Sequence, residues 1–279
     1  MVMLLNYFLN DKLSAPISNS IISTLLALIF MPNILQALSS AAQLFPINSV
    51  YWSLFYELIV NLMLAIFKRW LHINIIIFLV IISACLIFYF GIKDKNIDAG
   101  DSWGIGSIAL GSARAFFGIF LGYYLYNFSG KFTIPETLKK ATLAPLIIIC
   151  LILAAPKLGQ INWLYQILSV FILFPLCILW SANTNQHSVF LKPMIILGAI
   201  SYPAYVMHVP ITKLLNLLMS YDIRANAPLS GFIFLIVFFT LCIFLEKDIE
   251  RPLRQFLRKM YFSKSKNGCT TPNIANQGK

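Results

Sequence analysis

INIIIFLVIISACLIFYFGI, residues 73–92, is a run of twenty residues without a charged side chain. A helix rises about 1.5 Å per residue, so this run is about 30 Å long, which is the thickness of the hydrocarbon core of a bilayer. Its apolar residues are continuous and do not alternate with polar ones, which argues against a membrane β-barrel. The stretch therefore predicts a membrane-spanning helix.

Similar apolar runs recur along the whole chain. Hydrophobic residues make up 59% of the 279 positions and charged residues 11%, whereas a soluble domain has about 25% charged residues. We therefore expect an all-α fold, a polytopic helical membrane bundle over residues 1–262, followed by a polar, disordered cytoplasmic tail at 263–279. Eight spans are predicted, over residues 18–38, 50–69, 73–92, 104–127, 141–156, 163–181, 192–219 and 229–246.

The net charge of +11 is explained by the position of the basic residues. Of the 21 Lys and Arg residues, 15 fall in one alternate set of loops together with the C-terminal segment. Basic loops stay on the cytoplasmic side, so we expect a multi-pass inner-membrane protein with both termini of this chain in the cytoplasm, and no nucleic-acid partner. The five cysteines show no spacing typical of a metal site, so no metal is expected.

Glu57 lies within NSVYWSLFYELIVNLMLAIF, residues 48–67, about seven residues below the predicted outer end of its span. That position is roughly 10 Å deep, where an ionisable side chain is costly and indicates function. Ser53 and Asn61 lie four residues before and after it and share its helix face. The alternative is a structural hydrogen bond between helices, made by a protonated Glu57.

Arg114 lies in GSARAFFGIFLGYYL, roughly 13 Å below the outer end of the fourth predicted span. A guanidinium keeps its charge and needs a carboxylate, a carbonyl, water or an anionic ligand. Gly118 and Gly122 follow on the same face, a pattern typical of close helix packing, so we expect Arg114 on a packed face. The alternative is a structural ion pair, for example with Glu57.

His208 lies in ISYPAYVMHVPITK at a similar predicted depth. It belongs to a polar stripe with helical spacing, formed by Ser201, Tyr205, His208, Thr212 and Asn216. A single buried histidine is more often a hydrogen-bonded core residue than a catalyst. Glu57, Arg114 and His208 together, however, place a carboxylate, a guanidinium and an imidazole at one level of the membrane. Their combination predicts a polar cavity that opens outward.

Four stretches, in this order along the chain, resemble the motifs of the acyltransferase-3 family of membrane O-acyltransferases. NSVYWSLFYELIVNL resembles the family's WSL-x-x-E motif, and RAFFGIFLGYYL resembles its span with an arginine and a terminal glycine. ISYPAYVMHVPI resembles SYP-x-Y-x-x-H-x-P, and EKDIERPLRQFLRK resembles the closing E-x-x-x-ERP-x-R segment. Eight residues of this chain occupy the positions of the family's motif residues. They are Trp52, Ser53, Glu57, Arg114, Tyr202, His208, Glu250 and Arg251.

The resemblance implies a ten-helix enzyme without a cofactor. It would move an acyl group, usually acetyl, from cytoplasmic acyl-CoA to a hydroxyl of a cell-surface carbohydrate or lipid-linked glycan. Glu57, Arg114 and His208 are then the candidate catalytic residues. The candidate substrate-binding residues are Trp52, Ser53, Tyr202 and Tyr205. Trp52 would stack on a sugar ring or belong to the aromatic belt at the membrane interface.

The family also has a basic residue and a catalytic histidine in its first helix, and no histidine precedes His72 here. We therefore expect one or two N-terminal helices, about 70–80 residues by comparison with the family pattern, to be missing. Two alternatives follow for the function. One is an inactive remnant or scaffold of such an enzyme. The other is a transporter, which also uses ionisable groups inside the membrane.

Overall fold

The computed structural model describes residues 17–36, 42–156, 158–184, 188–219 and 228–267, and these ranges contain helices and no strand. The fold class predicted from the sequence, an all-α membrane bundle, is confirmed. The helices are α1 (Ile17–Leu28), α2 (Tyr51–Phe67), α3 (Ile73–Asp94), α4 (Ile105–Ser129), α5 (Glu136–Lys140), α6 (Ala144–Leu153), α7 (Asn162–Leu168), α8 (Phe174–Ala182), α9 (Ser188–Met219), α10 (Leu229–Phe244) and α11 (Arg251–Asn267).

Five helical stretches of the described chain are long and apolar enough to cross a membrane, as judged by length and composition. They are Ile73–Asp94, Ile105–Ser129, Gly159–Ala182, Leu191–Leu214 and Leu229–Met260. The helices α2 and α6 are apolar but shorter, and α1 has 12 residues. The eight predicted spans are thus not confirmed as a number, although each coincides with at least one helix.

Two of the long stretches contain a short π-helix. Ser169–Leu173 joins α7 to α8, and Leu245–Glu250 joins α10 to α11. The first lies just before Pro175, which has no amide hydrogen to donate to the preceding turn. A π-turn changes the register of the residues that follow it by one position, so it changes which side chains meet along the helix.

The chain divides into two compact units, Met1–Lys192 and Pro193–Lys279. The core of the first unit lies where α3, α4 and α7 meet, and its buried residues include Ile87, Leu110 and Ile167. In the second unit, Ile200 and Ile211 of α9 pack against Phe238 and Cys242 of α10. The helix α11 extends to Asn267, and the rest of the predicted tail lies outside the described residues.

Two loops of the first unit pair with each other at the end where α2 and α4 begin. The Leu44 amide donates to the Asp101 carbonyl at 2.7 Å, and the Trp103 amide donates to the Ala42 carbonyl at 3.0 Å. The Trp103 indole nitrogen also donates to the Asn33 carbonyl at 3.1 Å. These bonds satisfy backbone groups of both loops, and they hold residues 101–103 against the loop that precedes α2.

Candidate functional site

A polar cavity of about 170 Å³ lies between α2 and α4 in the first unit. Four of the residues selected from the sequence line it: Trp52, Ser53, Glu57 and Arg114. The remaining lining residues are Tyr56, Gly111 and Ala115. The structure therefore brings the predicted carboxylate and guanidinium to one cavity, although they are 57 positions apart in the sequence.

The cavity follows from helix spacing on both sides. Residues three and four apart share a helix face, so α2 presents Trp52, Ser53, Tyr56 and Glu57 together, and α4 presents the facing residues. The two helices approach closely at Gly111, where a β-carbon would lie 2.6 Å from the ring of Tyr56. The absence of a side chain at Gly111 is what lets the aromatic ring of α2 lie against the backbone of α4.

Arg114 is bound from the loop that precedes its helix. Its Nη1 donates to Oδ1 of Asp98 at 3.0 Å and to the carbonyl of Ala99 at 3.4 Å. Its guanidinium lies 5.2 Å from the ring centre of Trp52, within the range of a cation–π contact. The ion pair with Glu57 considered from the sequence is not formed, because the loop folds back along α4 and brings Asp98 to the guanidinium.

Gly100 makes this path of the loop possible. Its φ of +139° is a conformation that residues with a side chain rarely adopt. A β-carbon there would lie 2.5 Å from the ring of Trp52 and 2.9 Å from the α-carbon of Gly111. Two glycines thus meet backbone to backbone, and the loop lies deep enough for Asp98 to reach Arg114.

The carboxylate of Glu57 is exposed to the cavity side of α2 and makes no ion pair or hydrogen bond with any residue in the described ranges. The structural alternative, a hydrogen bond from Glu57 to a neighbouring helix, is therefore not seen within those ranges. Ser53, one turn earlier, donates its hydroxyl to the Val50 carbonyl at 3.2 Å. The free carboxylate is chemically available to a ligand.

Tyr56 and Asp98 are two residues of the site that the sequence analysis missed. Tyr56 is 5% exposed, and its hydroxyl has no hydrogen-bond partner among the residues described. A buried hydroxyl without a partner is unfavourable, so this one is available to a molecule in the cavity. Tyr56 follows Ser53 by three residues, and this spacing would have indicated that the two side chains share a helix face. The position of Asp98 depends on the loop path, for which the sequence carries only the signal of Gly100.

His208 belongs to the second unit. Its Nδ1 lies 2.7 Å from the carbonyl of Tyr205, and because a carbonyl oxygen only accepts, Nδ1 must carry the proton. In the neutral ring, Nε2 is then the acceptor and is able to take up a proton. Ser201 and Thr212 likewise bond to backbone carbonyls of α9, at 2.8 and 2.6 Å.

The polar stripe of α9 lies on an exposed face, separate from the buried Ile200 and Ile211. Ser201, Tyr202, Tyr205, His208 and Thr212 are exposed within the second unit. The side chain of Asn216 lies outside the described residues. That the stripe shares the level and cavity of Glu57 and Arg114 stays a prediction.

The glycines of α4 that follow Arg114 correct one expectation. Within the described ranges, Gly118 and Gly122 are not packed against another helix, since a β-carbon at either position would meet none of their atoms within 4 Å. They face a second, apolar cavity of about 290 Å³, which lies between α4 and α8 and also reaches Arg114. Side chains of α8 line the opposite wall of this cavity but do not come within 4 Å of either β-carbon position, so the space beside the two glycines stays open.

In the closing segment, the ion pairs join residues four and five positions apart, and the neighbouring Glu250 and Arg251 of the motif do not pair with each other. Arg251 bonds Glu246 through two nitrogens, at 3.2 and 3.0 Å, and Glu250 pairs with Arg254. The π-helix explains the first pair, because its i→i+5 hydrogen bonding brings positions 246 and 251 closer to one face than an α-helix would. Among the described residues, no three His, Cys, Asp or Glu side chains come together as a metal site would require.

Comparison with known families agrees with the four motifs. A family model described as an acyltransferase domain, of the acyltransferase-3 type, matches residues 2–247. No curated protein and no solved structure gives a significant match. The family match covers most of the chain and includes every residue that lines the polar cavity. The chain therefore belongs to the acyltransferase-3 family of membrane acyltransferases.

Proposed function

We propose that the protein is a membrane O-acyltransferase that moves an acyl group from cytoplasmic acyl-CoA to a hydroxyl of a cell-surface carbohydrate or lipid-linked glycan. The observation that carries this proposal is the polar cavity, in which the carboxylate of Glu57, without a partner among the described residues, lies with the anchored guanidinium of Arg114. The family match supports acyl transfer, and the five long apolar stretches support a membrane location, for which we propose the inner membrane.

The reaction requires a base for the acceptor and a positive group for the developing negative charge. The acceptor oxygen bonds to the acyl carbon, the carbon–sulfur bond of the thioester breaks, and the hydroxyl proton ends on the released thiolate. His208 is the proposed base, because its Nε2 is the acceptor nitrogen of the neutral ring and is able to take up the proton of the acceptor hydroxyl. Glu57 is proposed to bind acceptor hydroxyls.

Arg114 is proposed to stabilise the carbonyl oxygen as it becomes negative. Its Nη1 is occupied by Asp98 and Ala99, whereas Nε and Nη2 have no hydrogen-bond partner in the part of the chain that the structure describes. A guanidinium held in advance by protein contacts needs little reorganisation in the transition state, which is the source of this kind of stabilisation. The contacts of Nη1 therefore orient the remaining donors.

The aromatic residues are proposed to bind the acceptor. Trp52 lines the polar cavity and presents one ring face to Arg114, and sugar rings bind to aromatic faces of this kind. Ser53 supplies a hydroxyl at the same wall. Tyr202 and Tyr205 are exposed on α9, and we propose that they contact the acceptor through their rings and hydroxyls.

The test uses the full chain, purified and reconstituted in liposomes, with labelled acyl-CoA and membrane glycans as acceptors. We expect Arg114→Ala and His208→Ala each to lower turnover by about 100-fold or more, as is typical for acid–base and charge-stabilising residues. Glu57→Gln, which removes the charged acceptor for substrate hydroxyls, should lower turnover by about tenfold or more. The matched controls are Glu136→Gln, a carboxylate paired with Lys139 in a loop helix, and His72→Ala. Unchanged turnover in the three variants, at normal expression, would exclude these residues from the reaction.

A further inference from the structure

The apolar cavity beside Gly118 and Gly122 has no role in the function proposed so far. It is defined by these two glycines together with side chains of α3, α4 and α8 and the segments next to them, and Arg114 is its one polar lining residue. Both glycines are exposed, so one side of the cavity is open. The cavity extends along α4 from Arg114 to Leu125, which is roughly 16 Å of helix.

Arg114 lines both the polar and the apolar cavity. The two cavities therefore meet at one guanidinium, whose Nε and Nη2 have no partner among the described residues. A molecule that combines a carbonyl oxygen with a hydrocarbon chain matches this arrangement. Its oxygen would accept a hydrogen bond from Arg114 while its chain lies along Leu121 and Leu125.

We infer that the apolar cavity holds the hydrocarbon chain of the transferred acyl group, and that the protein prefers chains of about six to ten carbons to acetyl. This inference rests on the proposed acyl transfer and names its donor more closely. The resemblance to the family implied acetyl, but acetyl has a single methyl group beyond its carbonyl. It would leave most of the 290 Å³ unfilled.

The size of the cavity sets the length of the chain. An apolar protein cavity of about 150 Å³ holds benzene, which has six carbons. A cavity of 290 Å³ therefore accommodates on the order of ten carbons. Each methylene removed from water improves binding about fourfold, so several added methylenes give a large preference for the longer donor.

Two other occupants fit the cavity less well. The pantetheine arm of CoA carries amide groups that need hydrogen-bond partners, and the side chains of this wall offer only Arg114. A lipid tail from the bilayer also matches the apolar wall, but the ester carbonyls of bilayer lipids lie at the membrane interface, whereas Arg114 is predicted to lie roughly 13 Å below it. The acyl chain of the donor satisfies both the wall and the guanidinium.

The experiment compares acetyl-CoA with octanoyl-CoA for the full chain in liposomes. We expect kcat/KM for octanoyl-CoA to exceed that for acetyl-CoA at least about tenfold, given the gain per methylene. Gly118→Leu and Gly122→Leu place a side chain in the open space and should remove this preference while acetyl transfer continues. Gly130→Leu is the matched control, because this glycine also has no neighbour within 4 Å but does not line the cavity.

A second measurement does not depend on turnover. Octanoyl-CoA should raise the unfolding temperature of the protein more than acetyl-CoA does, and Gly122→Leu should abolish the difference. The inference is wrong, and the proposed acyl transfer stands, if kcat/KM for acetyl-CoA equals that for octanoyl-CoA. The same holds if Gly118→Leu and Gly122→Leu change kcat/KM for neither donor. If a bilayer lipid and not the acyl chain occupies the cavity, the two leucine variants would leave kcat/KM for both donors unchanged. If neither donor is used or bound, both proposals fail.

Discussion

At the scale of single residues, the site depends on which polar groups are paired and which are free. Arg114 is paired through Nη1 with Asp98, and its side chain lines both cavities. Glu57 and the hydroxyl of Tyr56 have no partner among the described residues. Unpaired polar groups in an apolar helix are unfavourable for stability, and their presence at one cavity is the basis of the binding role proposed for them.

Tyr56→Phe tests whether the buried hydroxyl serves the substrate. Since the hydroxyl has no described partner, its removal should leave stability unchanged or raise it by about 1 kcal/mol, while turnover falls about tenfold. The control is Tyr165→Phe, which removes a hydroxyl that donates to the Ile152 carbonyl at 2.7 Å and should lower stability without lowering turnover. Turnover and unfolding temperature in detergent are measured for both. A drop in the stability of Tyr56→Phe would indicate a structural role instead.

Asp98→Asn tests the anchoring of Arg114. The side chains of Arg114 and Asp98 are 36% and 69% exposed, so the ion pair contributes less than about 1 kcal/mol to stability. We expect turnover to fall about tenfold at an unchanged unfolding temperature, because the guanidinium loses its fixed orientation. Asp94→Asn, an exposed carboxylate at the end of α3, is the control. Equal turnover in the two variants would show that Asp98 does not orient Arg114.

At the scale of elements, α4 positions the site through its glycines, which act in two different ways. Gly111 allows contact, because the ring of Tyr56 and the backbone of Gly100 lie where its side chain would be. Gly118 and Gly122 leave space, because nothing occupies the positions of their side chains. One helix therefore closes the polar cavity at one turn and opens the apolar cavity two turns later.

Gly111→Ala and Gly118→Ala separate these two roles. A β-carbon at Gly111 would lie 2.6 Å from Tyr56 and 2.9 Å from the Gly100 backbone, so we expect a loss of about 1–3 kcal/mol in the free energy of unfolding. At Gly118 the added methyl meets nothing and favours the helix by up to about 1 kcal/mol. Thermal unfolding in detergent measures both. Equal effects of the two substitutions would contradict the close approach at Gly111.

At the scale of the whole molecule, the distribution of charge predicts the orientation in the membrane. The loops that hold most of the 21 basic residues should face the cytoplasm. With this orientation, α4 runs from the outer side inward, and the polar cavity lies in the outer half of the membrane. The paired loops around Leu44 and Asp101 would then form its outer cover.

Reporter fusions test this orientation. Alkaline phosphatase, which is active only outside the cytoplasm, should be active when fused after Lys95 and inactive when fused after Lys140. A fluorescent protein that folds in the cytoplasm should give the opposite pattern at the same two positions. If phosphatase activity appears only after Lys140, the orientation is reversed, and the polar cavity lies on the cytoplasmic side.

Three properties could be predicted from the sequence alone: the membrane location, the helical fold class and the family. Apolar runs such as residues 73–92 and motifs such as WSLFYE are local, so they are visible without a structure. Helix periodicity also placed Ser53 and Glu57 on one face correctly, as their shared cavity shows.

Which groups these helix faces contact could be seen only in the tertiary structure. Asp98 pairs with Arg114, and Gly118 faces a gap, because the path of a loop and the spacing of helices depend on contacts between distant segments. The small-residue spacing predicted close packing at Gly118 because a small residue permits it, but a glycine permits a gap equally well. Which of the two forms depends on whether the opposing helix has side chains that fill the space, and local spacing does not contain that information.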